Sequence, residues 1–185
     1  EGVRAGLAER AIDRIAAASQ ALDDSDGHCG ALLHRARDIH LAAARVAAPD
    51  PVRLARDLFA RETGDDYGTF DGAVTLYADV LGEAGLAEYR RLAVEAWNKL
   101  PARAGGRGRQ EFSADYRRLI GMLDFFAERD GDIRTRIALR AKDLSSPWNY
   151  LELAEFCRAQ GRTDEALRYA EEGLWVFEDG RPDER

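Results

Sequence analysis

The chain has 185 residues and a formal net charge of −7, a length that fits one large domain or two small ones. Two cysteines exclude a disulfide scaffold. No apolar run approaches the roughly 18 residues that a membrane-spanning helix needs, and the acidic balance argues against nucleic acid as a default partner.

Ala and Leu number 32 and 20, against 7 Val, 6 Ile and 5 Thr. Ala and Leu lead the helix-propensity ranking, while β-branched residues favour strands. The expected fold class is therefore all-α. Of the 27 basic residues only Lys99 and Lys142 are lysines, so few groups are available for lysine chemistry, and arginine does not deprotonate to act as a base. The chain begins at Glu1, which suggests a piece of a longer protein. It shows no leader with a basic start and an apolar core.

Apolar steps of three and four mark the helices in chain order. Leu7, Ile12, Ile15, Ala18 and Leu22 form the first stripe, ended by the turn formers 23–27. Leu32, Ala36, Ile39, Ala43 and Val46 form the second. Pro49-Asp50-Pro51 stops that helix and starts a third, Asp50 as cap and Pro51 in the first turn. After a polar loop at 64–68, Val74, Tyr77 and Leu81 belong to one helix and Tyr89, Leu92, Ala93, Ala96 and Trp97 to the next, with Gly82-Glu83-Ala84-Gly85 as the turn. Three glycines fall within 105–108, so the stretch 101–110 is a candidate flexible boundary inside an otherwise single domain, 1–185. Tyr116, Leu119, Ile120, Leu123 and Phe126 share the next face, followed by Ile133, Ile137, Ala141 and Leu144. Ser146-Pro147 starts a last hairpin over 147–178, turning at Gly161. About nine helices are expected.

The last hairpin is similar to a tetratricopeptide repeat. Tyr150, Leu153 and Leu174 are its large residues, and Ala154, Ala166 and Gly173 are the small ones that let two helices approach closely. Weaker copies surround Gly85 and Gly131. Their turn glycines lie 46 and then 30 residues apart, so the pattern reads as an irregular tetratricopeptide-like stack of helical hairpins, an α-α superhelix. A plain irregular helical bundle is the competing fold.

A second resemblance spans most of 20–180. The runs at 22–27, Pro49-Asp50-Pro51, Leu58-Phe59-Ala60, 81–86 and Asp143-Leu144-Ser145-Ser146-Pro147 resemble those of an uncharacterised bacterial family in which this helical region follows a SWIM-type zinc finger. The resemblance implies a helical-repeat domain of a larger cytoplasmic protein and implies no activity. The zinc-binding Cys and His motif of such fingers is absent from this chain, so no metal ligand carries over.

Candidate chemistry is sparse. His28, Cys29, His34 and His40 lie near Asp24 and Asp26. Ligands six apart on a helix point away from each other, so helix capping is the expected role and no metal or other cofactor is assigned. Residues 24–27 start like a calcium loop, but the twelfth position holds His34 or Arg35, neither of which can clamp calcium. The run Gly105-Gly106-Arg107-Gly108-Arg109 lacks the Lys and Ser/Thr ending of a phosphate loop. No Ser-His-Asp elbow or Cys-His signature is present, so no catalytic residue is assigned and the chain is not expected to be an enzyme.

The expected function is a protein-interaction or scaffold module that binds a protein or peptide partner on a concave helical surface. The repeat pattern points Trp148, Leu151, Glu155 and Arg158 into that groove; Trp148 has the competing role of packing on the preceding hairpin. The alternative is an auxiliary domain of a nucleic-acid-associated zinc-finger protein.

Overall fold

The fold was analysed in a computed structural model that describes residues 2–19, 28–65, 67–105 and 113–178. Among these residues there are nine helices and no strand: α1 (Gly2–Ser19), α2 (His28–Ala47), α3 (Pro51–Gly64), α4 (Ala73–Leu76), α5 (Ala78–Lys99), α6 (Ala114–Arg129), α7 (Ile133–Ala141), α8 (Pro147–Ala159) and α9 (Thr163–Glu178). The chain divides into two compact units, Glu1–Ala93 and Val94–Arg185, the division falling within α5.

In the first unit, α1 packs on α2 and α3 on α4. Asp50 caps α3 by accepting the Arg53 amide at 2.7 Å, and Pro51 occupies the first turn. The buried face of α2 differs from the expected stripe by one residue: Leu33, Ala36, His40 and Ala44 face inward, while Leu32, Ile39 and Val46 are exposed. The cause is polar. His40 reaches the Tyr77 hydroxyl through Nδ1 at 2.9 Å and Glu9 through Nε2 at 3.3 Å, so a histidine with partners takes the interior position. Burial holds the His40 pKa below its ordinary value, against the pull of Glu9. Glu62 is likewise buried and satisfied. It accepts the Gly72 amide at 2.8 Å and the Tyr89 hydroxyl, next to the start of α4, and burial raises its pKa.

The expected turn at 82–85 is narrower than the glycine pattern suggests. Gly82 alone departs from helical geometry, at φ 54° and ψ −172°, a region essentially reserved for glycine. Gly85 lies inside the helix after the bend, and a β-carbon there would stand 2.8 Å from the Pro51 carbonyl oxygen.

In the second unit, α6 with α7 and α8 with α9 form two consecutive helical hairpins, joined by contacts between α7 and α8. Each hairpin turns at a glycine with positive φ, Gly131 at 67° and Gly161 at 72°. Asp132 caps α7 and Ser146 caps α8. The α6 face is close to expectation, with Tyr116, Leu119, Met122, Leu123, Phe126 and Ala127 buried. Ile137, Leu153, Cys157 and Ala166 make the core between the hairpins. Gly173 sets the α8–α9 approach: a β-carbon there would lie 2.8 Å from the Tyr150 Cβ.

The segment 101–105 runs beside 142–144. Arg103 donates its amide to Lys142 and accepts from Leu144, both at 2.8 Å. The Tyr116 hydroxyl donates to the Pro101 carbonyl at 2.6 Å. Lys142 sits at the C-terminal turn of α5, donating to the Trp97 carbonyl at 2.6 Å with its ammonium 4.3 Å over the indole. The rest of the glycine-rich stretch, 106–110, lies outside the described residues.

Candidate functional site

The first helices of the two hairpins, α6 and α8, line a groove of about 810 Å³. From α6 come Tyr116, Arg117 and Ile120. From α8 come Trp148, Asn149, Glu152, Glu155, Phe156 and Ala159. The 143–146 turn, Arg103 and Arg140 close it. The α8 residues Trp148, Glu152, Glu155 and Ala159 follow steps of four, three and four, one continuous helical face.

The floor is held rigidly. Asp124 on α6 receives Arg136 at 2.9 and 2.8 Å and Arg140 at 2.6 and 3.0 Å, both from α7. Burial alone would raise the Asp124 pKa, but the hydrogen bonds from Arg136 and Arg140 outweigh it and bring the value down to about 2. Both guanidinium groups lie over the Phe156 ring, Arg140 at 3.9 Å and Arg136 at 5.1 Å from its centroid. This lattice ties α6, α7 and α8 together beneath the groove. Asn149 adds a side-chain bond to the Asp143 carbonyl at 2.9 Å, fixing the start of α8.

The walls are different. Trp148 is 64% exposed, although it is one of the largest apolar side chains of the unit. Glu152 and Glu155 are also exposed and engaged in no ion pair, as is Arg117 on the opposite helix. The groove thus combines a fixed floor with unengaged aromatic and charged walls.

Of the four positions expected in the groove, Trp148 and Glu155 line it. Leu151 and Arg158 are exposed and stand outside its lining, one residue away from Glu152 and Ala159, which do line it. Sequence reasoning missed Arg117, Glu152, Phe156 and Ala159. The signal for Glu152 and Ala159 was the helical step of four from Trp148 and from Glu155. Nothing local marked Arg117, which reaches the groove only because α6 and α8, both packed on α7, line it together.

His28 and His34 are exposed and Cys29 is half-buried, while Asp24 and Asp26 lie outside the described residues. Among the described residues no group of three or more His, Cys, Asp or Glu could hold a metal ion, and no helix is long and apolar enough to cross a membrane.

With two helical hairpins and this groove in view, the comparison with known proteins gives a class. The chain belongs to a family of unknown function (DUF6880), whose model matches residues 7–175. No curated protein matches it, and no solved structure does.

Proposed function

We propose that this chain is a protein-interaction module that receives a peptide segment of a partner protein in the α6–α8 groove, and that it does no catalysis. The observation that carries the reading is Trp148, an exposed indole on a wall whose carboxylates, Glu152 and Glu155, are unengaged. Large aromatics anchor interfaces because they bury much area at little entropic cost. Glu152 and Glu155 then favour a segment carrying Arg or Lys next to its apolar anchor, and Arg117 favours a carboxylate on its other side.

The two hairpins fit a tetratricopeptide-like pair on this reading. Ala154, Ala166 and Gly173 are buried where α8 meets α9, and the first helix of each hairpin faces the groove. The cytoplasmic setting and the zinc-finger neighbour implied by the sequence resemblance are proposals about the longer protein. They would place this module beside a second binding domain.

Isothermal titration with peptides taken from candidate partners tests the reading. Trp148→Ala is expected to weaken binding by about 2 kcal/mol, the range for an interface hot spot. Glu155→Lys should weaken it and remove its salt dependence. Binding unchanged by both substitutions would place the partner elsewhere.

A further inference from the structure

The outer face of α9 carries a second, unrelated surface. Thr163, Leu167, Ala170 and Leu174 recur at steps of four, three and four, the seam spacing of a helix that packs against another helix. Leu167 is 58% exposed, Leu174 60% and the neighbouring Trp175 72%. Charged side chains lie along one border of this seam, where Asp164, Arg168 and Glu171 each follow a seam residue by one position; all three are exposed, and Asp164 and Glu171 make no ion pair. Arg168 is folded over the Tyr169 ring, its guanidinium 4.6 Å from the centroid, and Glu172 accepts the Tyr150 hydroxyl at 3.1 Å.

The seam and its border together select an occupant. The three–four spacing fits a helix. The acidic border opposes a second copy, because a two-fold antiparallel pairing of α9 would set Asp164 and Glu171 against their own row. It equally opposes an anionic membrane surface. We propose that this face docks an amphipathic helix of a different protein, one whose apolar stripe is flanked by Lys or Arg.

The test uses the whole chain and two synthetic helical peptides of about 20 residues, long enough to hold helical structure. Both carry Leu at three–four spacing; one has Lys beside the stripe and the other has Glu. Isothermal titration at low salt should show the Lys peptide binding at least about tenfold more tightly, with the preference shrinking as salt rises. Leu174→Asn and Ala170→Arg, both at exposed positions, should each remove the binding, and Glu171→Lys should abolish the preference between peptides. Trp148→Ala should leave this binding unchanged, which separates the surface from the groove. Absence of binding, equal affinity for the two peptides, or indifference to Leu174→Asn overturns the proposal. So does sedimentation equilibrium showing a dimer that Leu174→Asn dissolves.

Discussion

Two glycines of the second unit sit in helices and have opposite tasks. Gly173 is pressed against Tyr150, whereas a β-carbon at Gly121 meets nothing within 4 Å. Gly→Ala in an open helix position stabilises by about 0.5–1 kcal/mol through backbone entropy. Gly121→Ala should therefore raise the melting temperature. Gly173→Ala gains the same propensity but must push Tyr150 aside, at a cost of about 1–3 kcal/mol. Urea titration of the two variants should show opposite signs. The close contact at 173 was legible as a small residue in a repeat pattern. The open space at 121 was not, since a glycine letter does not tell crowding from vacancy.

Asp124 makes a pH prediction at the same scale. Its folded pKa of about 2 lies below the ordinary 3.8, so the two arginines stabilise the folded state fully above pH 3.8. That stabilisation, on the order of 2 kcal/mol, is lost as pH falls from there towards 2. Asp124→Asn should cost most near neutral pH, and the gap to the unsubstituted protein should close below pH 3. A gap constant between pH 7 and pH 2.5 would mean that the carboxylate is not held in its charged form by Arg136 and Arg140.

At the scale of elements, helix identity was legible and helix rotation was not. Capping letters fixed the starts of α3 and α8, because Asp50-Pro51 and Ser146-Pro147 act locally. Which face turns inward depends on partners far along the chain. On α2 the apolar stripe pointed to Leu32, Ile39 and Val46, but Tyr77 and Glu9 draw His40 inside and leave that stripe exposed. On α8 the groove face follows Trp148 by steps of four and three, and a step begun with three misses it by one residue. The bend in α5 gives a direct test. Gly82→Ala places a β-carbon in a conformation that only glycine tolerates, at a cost of about 1–3 kcal/mol, although nothing crowds the site. Thermal unfolding monitored by circular dichroism would show it. An unchanged midpoint would mean that the bend is not required.

At the scale of the molecule, all-α architecture was legible because composition and periodicity act everywhere along the chain, and nine helices result among the described residues. Surfaces were less so. The groove depends on α6 and α8 both packing on α7, and the α9 seam depends on which of its faces Tyr150 and Cys157 leave free. The unit 2 surface is thus divided by chemistry, a groove with an aromatic anchor on one side and an apolar seam with an acidic border on another. The most direct test of the account is quantitative capture from native lysate on the immobilised chain. It compares the unsubstituted protein with Trp148→Ala and Glu155→Lys, and with Arg158→Glu outside the groove. The account predicts one set of proteins held by the unsubstituted chain and by Arg158→Glu, and lost from both groove variants. Equal retention on all four chains, or loss from Arg158→Glu alone, would contradict it.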